Sequence, residues 1–171
     1  MGSKIHVESE VGIGTLFHFS VWFLCEKNIP AEEAEQKIEI PDFSGKTVLV
    51  VDDVEINREI IFHLLEQTGI SIENAQNGKI ALDMVEESAV GHYDLILMDV
   101  QMPFMDGYTS TKNIRALDRA DAKTIIILAM TANAFKEDID HAIESGMNGH
   151  MSKPVEEKVL LKTMAEALMN S

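Results

Sequence analysis

The sequence predicts an α/β protein whose main domain is a doubly wound parallel sheet, and three observations predict it. From Lys46 onward, short segments rich in Val, Ile, Leu and Met alternate five times with segments of helical periodicity. Three of the short segments are near-continuous apolar runs, the pattern of strands covered on both faces. Polar residues then stand at the carboxyl ends of four of them: Asp52-Asp53, Asp99, Thr131 and Lys153-Pro154. That edge is where open α/β sheets bind ligands.

In chain order, residues 4–24 read as a β-hairpin. Ile5 and Val7 alternate with polar neighbours, Glu10 to Thr15 supplies a turn, and Phe17, Phe19, Val21 and Phe23 then alternate with His18, Ser20 and Trp22. One face is therefore strongly apolar, and a lone hairpin is marginal in water, so this face needs a partner. The Gly12-Ile13-Gly14 run is a turn and not a phosphate loop, because no Walker lysine and no helical pattern follow it. Residues 26–44 are acidic, carry Pro30 and Pro41, and hold few apolar residues, as an interdomain linker does. The predicted organisation is thus a hairpin over 1–25, a linker over 26–44 and the α/β domain over 45–171.

In that domain the patterns predict strands at Thr47–Val51, Ser71–Ala75, Tyr93–Met98, Thr124–Met130 and Gly149–Ser152. Helices are predicted over Ile56–Gln67, Gly78–Glu87, Gly107–Leu117, Asn133–Glu144 and Glu156–Met169. Ile60, Ile61, Leu64 and Leu65 form an apolar stripe at helical spacing, and Gly69 is placed to terminate that helix. Asp106 stands where it would cap the helix beginning at Gly107. With right-handed crossovers, the favoured strand order is the flavodoxin-like 2-1-3-4-5 of a (βα)5 fold.

Composition narrows the function. A formal net charge of −15 argues against nucleic acid as a partner, since phosphates would be repelled. The single cysteine, Cys25, forms no internal disulfide and supports no zinc site. No apolar run reaches the length of a membrane span, so the expectation is a cytoplasmic module without direct membrane contact, although a parent protein can be membrane-anchored.

The four strand ends carry the chemistry. Carboxylates gathered there repel one another unless a cation lies between them. Only oxygen ligands are on offer, which favours a hard ion such as Mg2+. The thioethers of Met98, Met102, Met105 and Met130 suit soft metals and read as packing. A lysine ammonium and a threonine hydroxyl across the same pocket suit an anion. A hard metal, an ammonium and a hydroxyl together describe a phosphoryl site.

The string from Ile5 to Phe19, with Gly12-Ile13-Gly14-Thr15 at its centre, resembles the last hairpin of a histidine-kinase ATP-binding domain, whose nucleotide-binding motifs are not in this chain. Residues 46–169 resemble a response-regulator receiver domain through Val50-Val51-Asp52-Asp53, Leu97-Met98-Asp99-Val100-Gln101-Met102-Pro103, Met130-Thr131-Ala132 and Ser152-Lys153-Pro154-Val155. Together they imply the receiver of a hybrid sensor histidine kinase, acting in a two-component phosphorelay. The resemblance implies Asp99 as phosphoacceptor, attacking a phosphohistidine to form an acyl phosphate. It implies Mg2+ held by the carboxylates of Asp53 and Asp99 and the Gln101 backbone carbonyl, with Asp52 helping through water, Lys153 and Thr131 on the phosphoryl oxygens and Lys153-Pro154 in cis. The implied partners are the phosphohistidine domain of a histidine kinase and a histidine phosphotransfer protein, and a homodimer remains open beside a monomer. As an enzyme such a module catalyses only its own phosphorylation and dephosphorylation.

The chain departs from the pattern at His150, three residues before Lys153, where many receivers carry a switching aromatic that works with the threonine, here Thr131. Gln101 and Asn133 occupy positions that tune acyl-phosphate lifetime in the family. Two alternatives stay open: an Mg2+-dependent phosphohydrolase with an aspartyl nucleophile, weakened because position 101 is not an acid, and a pseudo-receiver that only binds partners. Asn57-Arg58 reads as the exposed side of the first helix, a pair also frequent in hybrid-kinase receivers. His63 lacks the charged motif of a phosphorylated kinase helix, and Asp138 and Asp140 read as solvated.

Overall fold

The computed structural model describes residues 5–20, 40–132 and 136–169. The chain divides into two compact units, residues 1–37 and 38–171.

In the first unit, β1 (Ile5–Glu10) pairs antiparallel with β2 (Gly14–Phe19). The turn closes through the Ile13 amide donating to the Glu10 carbonyl at 3.1 Å, and Gly12 takes φ +84°, a left-handed conformation that favours glycine. The register sets Ile5 opposite Phe19 and Val7 opposite Phe17, which is the predicted apolar face. His6 and His18 lie opposite each other with stacked rings, their centroids 5.1 Å apart. Every described residue of the hairpin is exposed. The predicted extension of the second strand to Phe23, and the linker up to position 39, lie outside the described residues.

The second unit runs β3 (Thr47–Val51), α1 (Glu55–Leu65), a 3-10 turn (Glu66–Thr68), β4 (Ser71–Ala75), α2 (Gly78–Glu87), β5 (Leu95–Asp99), α3 (Gly107–Ala116), β6 (Ile126–Thr131), α4 (Lys136–Glu144), β7 (Gly149–Ser152) and α5 (Glu157–Met169). Its five strands are all parallel in the order β4-β3-β5-β6-β7, the expected 2-1-3-4-5.

Alternation along the buried strands splits the core into two layers. Val48, Val50, Leu95, Leu97, Leu128 and Met130 pack on Ile61 and Leu65 of α1 and on Leu160, Leu161 and Met164 of α5. Leu49, Val51, Ile96, Met98, Ile127 and Ala129 pack on Ala81 and Val85 of α2, Ile114 of α3 and Ala142 of α4. Each large side chain buried in this way contributes about 1.5–3 kcal/mol.

Element ends differ slightly from the pattern, each for a local reason. β5 begins at Leu95 and not Tyr93, because the Asp94 carboxylate accepts from the Thr47 amide at 2.9 Å and from the Lys46 ammonium at 2.8 Å. The Tyr93 hydroxyl meanwhile donates to Glu73 at 2.5 Å. β6 begins at Ile126, because the amides of Thr124 and Ile125 both turn back to the Asp121 carbonyl. α1 tightens into the 3-10 turn and leaves through Gly69 at φ +73°, the predicted terminator. α4 is described from Lys136, and Asn133 lies outside the described residues. Asp106 caps α3 as expected, accepting from the Thr109 amide at 2.7 Å.

Candidate functional site

Each of four site residues stands at the carboxyl end of a strand, or one residue past it, where the strand's apolar body is locked in the core. Asp52 follows β3, Asp99 ends β5, Thr131 ends β6, and Lys153 follows β7. The strands fix their depth. Asp52 is fully buried, Asp99 and Thr131 are buried, and Asp53 faces solvent. Carboxylate oxygens of Asp52, Asp53 and Asp99 all lie within 4.8 Å of one another.

The Lys153 ammonium spans this cluster, 2.6 Å from Asp52 Oδ2 and 2.7 Å from Asp99 Oδ2. Its main chain is aligned by the Lys153 amide donating to the Thr131 carbonyl at 2.8 Å, and the Lys153–Pro154 bond is cis, as expected. Asp52 Oδ1 accepts from the Val54 amide at 2.9 Å and from Asn57 Nδ2 at 3.0 Å. Arg58 Nη1 donates to the Asp52 carbonyl at 2.6 Å. Asp99 Oδ1 accepts a longer bond, 3.3 Å, from the Gln101 amide.

Burial pushes the Asp99 carboxyl above its ordinary value, and the Asp52 charge adds to this against the opposing pull of Lys153 and the Gln101 amide. Burial alone would lower the Lys153 ammonium, but its hydrogen bonds and charge pairing with Asp52 and Asp99 outweigh it and hold the group above the usual lysine value.

The loop after Asp99 is tied down on both sides. The Val100 amide donates to the Met130 carbonyl at 3.1 Å, and the Gly107 amide donates to the Val100 carbonyl at 3.0 Å. Gly107 is required at this crossing: a Cβ there would collide with the Asp99 carbonyl oxygen and lie 3.0 Å from Met98 Cγ. Gln101 is exposed at the mouth of a cavity of about 400 Å³ that Thr131, Met102, Asp106 and Tyr108 also line. The Tyr108 hydroxyl donates to the Asp138 carbonyl at 3.2 Å, joining α3 to α4.

Asp52, Asp53, Asp99 and Lys153 thus come together, and Thr131 sits on the adjoining strand end. His150 stands apart: it is half-buried on β7 opposite Ala129 and lines a different recess with Lys123, Asn148 and Thr163. The first-turn pair Asn57-Arg58 was expected on the exposed side of the helix, and the structure corrects this. Both residues are half-buried and both bond to Asp52. Their spacing from the acid is the signal that could have exposed them, because the first turn of α1 folds back over the end of β3.

The donor set fits a divalent hard cation. It is made of carboxylate oxygens alone, and the three carboxylates outnumber the Lys153 ammonium that bridges two of them.

Residues 48–165 match the family model described as the response regulator receiver domain. Among curated proteins, the osmosensing histidine protein kinase SLN1 of Saccharomyces cerevisiae is 41% identical over 143 residues, covering 82% of this chain and 11% of that protein. Sensor histidine kinase RcsC of Escherichia coli is 37% identical over 125 residues, covering 73% of this chain and 12% of that protein. The chain therefore spans about a tenth of the length of these relatives. Among solved structures, the receiver domain of sensor histidine kinase PA1611 from Pseudomonas aeruginosa, which has a magnesium ion coordinated in its active-site cleft, superposes with a TM-score of 0.66 at 30% identity. It covers 74% of this chain and 99% of that one. Chemotaxis protein CheY4 of Vibrio cholerae superposes at 0.65 with 30% identity, covering 71% and 98%.

Proposed function

The chain belongs to the response regulator receiver family, and on that premise we propose that it accepts a phosphoryl group on Asp99 from a phosphohistidine, with Mg2+ as cofactor. The observation that carries this reading is the Lys153 ammonium set between Asp52 and Asp99 at 2.6 and 2.7 Å, with Asp53 completing an oxygen-only cluster.

In this mechanism a carboxylate oxygen of Asp99 attacks phosphorus, the new P–O bond forms, and the P–N bond of the phosphohistidine breaks with its electron pair returning to the imidazole. Asp99 must be ionised to attack, and Lys153 helps keep it so. As the phosphoryl group arrives, Lys153 exchanges its hold on the carboxylates for the phosphoryl oxygens, while the Thr131 hydroxyl hydrogen-bonds one of them. Asp52, Asp53, Asp99 and the Gln101 carbonyl would hold Mg2+, which when bound supplies the charge that the transferring oxygens need.

Two rival readings are weaker. A phosphohydrolase needs an acid close after the nucleophile, and position 101 is an exposed glutamine whose amide only donates to Asp99. A pseudo-receiver would not need a complete set of Asp52, Asp53, Asp99, Thr131 and Lys153.

The reading extends to the parent protein, a hybrid histidine kinase in which residues 1–25 are the last hairpin of the ATP-binding domain, 26–44 a linker and 45–171 the receiver. The identity to sensor kinases and the Ile5–Phe19 hairpin support it. The phosphoryl group then passes to a histidine phosphotransfer protein or acts back on the kinase. No described helix is long and apolar enough to cross a membrane, and a cytoplasmic location goes with this reading.

Incubation with acetyl phosphate and Mg2+ should add one phosphoryl group by intact mass, and EDTA should prevent it. Asp99→Asn should abolish the addition. Labelling that persists in Asp99→Asn would sink the assignment.

A further inference from the structure

We propose that Asn57 is a positioning residue for the divalent cation: its amide bridges both oxygens of Asp52 and, with the Val54 amide on Oδ1, holds the carboxylate in the one orientation that presents it to the cation site. The inference rests on the receiver reading above and adds a residue that the four receiver motifs do not contain.

The hold is visible in the bonds. Asp52 is fully buried, so every lone pair it does not place on a donor is costly. Oδ1 takes two fixed donors from the first turn of α1, the Val54 amide at 2.9 Å and Asn57 Nδ2 at 3.0 Å. Oδ2 takes the mobile donor, Lys153 Nζ at 2.6 Å, and also a hydrogen bond of 3.2 Å from the same Asn57 nitrogen, which therefore bridges the two oxygens. The Asn57 atom facing the carboxylate must be its nitrogen, since a carboxylate only accepts. When Lys153 leaves for an incoming anion, the Val54 amide and Asn57 still hold the carboxylate, so Oδ2 keeps a defined direction. Arg58 fixes the same residue from behind by donating to the Asp52 carbonyl at 2.6 Å.

The surroundings argue against a packing role for the side chain. Asn57 borders a small cavity of about 90 Å³ that Asp52 and Lys153 line on the site side and Ile60, Ile61, Pro154 and Val155 line with apolar walls. A leucine would suit those walls and the helix better, because asparagine is a weaker helix former. Nor does Asn57 cap the helix, whose N-cap is Val54 with no side-chain cap bond. A residue that goes against both local packing and propensity at a site edge is placed there for its amide.

Groups that orient metal ligands in this way cost about 10–100-fold in affinity when removed. The test is Mg2+ binding by the full chain with Asn57→Leu and Asn57→Ala, followed by calorimetric titration and by the Mg2+-dependent rise in melting temperature. Leucine fills the cavity and alanine empties it, so a deficit common to both belongs to the lost amide. The expected result is an Mg2+ dissociation constant about tenfold or more above wild type in both variants, with normal far-ultraviolet circular dichroism. The accompanying deficit in acetyl-phosphate labelling should be recovered by raising Mg2+, because Asn57 touches no reacting atom. Affinity unchanged or tighter in both variants overturns the inference, as does a labelling deficit that saturating Mg2+ does not recover. Failure of the wild type itself to bind Mg2+ would overturn the receiver reading; wild-type binding with indifferent variants would overturn only the role of Asn57.

Discussion

Lys153 is the residue on which the state of the site turns. Its side chain is about one-fifth exposed while those of its partners Asp52 and Asp99 are 0% and 7% exposed, so it neutralises charges that water cannot reach. Replacing it by methionine keeps the stem and removes the ammonium, leaving two buried carboxylates to face each other. Loss of one partner from a fully buried pair costs about 3–5 kcal/mol, and partial exposure of the ammonium reduces this, so Lys153→Met should destabilise the metal-free protein by roughly 2 kcal/mol in urea melts. The same change should tighten Mg2+ binding, because the ammonium and the cation compete for the same oxygens. A variant as stable as wild type without metal would contradict the geometry. The pH window follows from the raised Lys153 value. On the alkaline side its stabilisation is present up to the ordinary lysine value near 10.5 and is lost as pH rises through the higher folded one, so wild type and variant should converge at the alkaline extreme. At this scale much of the site was legible. Asp52, Asp53, Asp99 and Lys153 announce themselves because each interrupts or ends a buried run with a charge. Asn57 and Arg58 were not, because a helical pattern says which face a residue occupies but not that a first turn leans back over the preceding strand end.

Among the elements, α3 shows how tightly packing and chemistry are joined. It starts at Gly107 because the helix crosses the end of β5 too closely for any side chain, with the Asp99 carbonyl oxygen and Met98 Cγ in the way. Gly107→Ala cannot be absorbed by a flexible side chain on the oxygen's side, since that atom is backbone. It should cost about 1–3 kcal/mol in urea denaturation, like other overpacked sites. It should also slow acetyl-phosphate labelling, because relief comes from moving the peptide that carries the nucleophile. Labelling at the wild-type rate would show that the helix yields instead. The strand and helix periods announced the five strands and five α-helices described in this unit, though not the 3-10 turn after α1, and Asp106 and Gly69 marked a helix start and a helix end by chemistry that acts within a few residues. The starts of β5 and β6 lie two residues later than the sequence pattern predicts, for the opposite reason. Asp94 binding Thr47 and Lys46 is a contact across strands, and the turn onto the Asp121 carbonyl competes with extension in a segment whose composition still reads as strand.

On the scale of the whole chain, the two units differ in how they bury apolar surface. The unit over 38–171 holds every buried residue described, from Phe43 to Met164. The hairpin holds none, and Ile5, Val7, Phe17 and Phe19 are all 55–70% exposed on one face. Two strands without a covering layer are marginal in water, and a contiguous apolar face of this kind drives association. The receiver unit has both layers of its core complete, so it has no such need. Deleting residues 1–37 should therefore leave the melting temperature and the Mg2+-dependent stabilisation of the receiver unchanged within error. Sedimentation should show concentration-dependent association of the full chain and a monomer for residues 38–171. Loss of the cooperative transition on deletion would mean that the receiver core depends on the hairpin. Equal association of both forms would move the interface onto the receiver itself, where the α5 side of the sheet edge is open around His150.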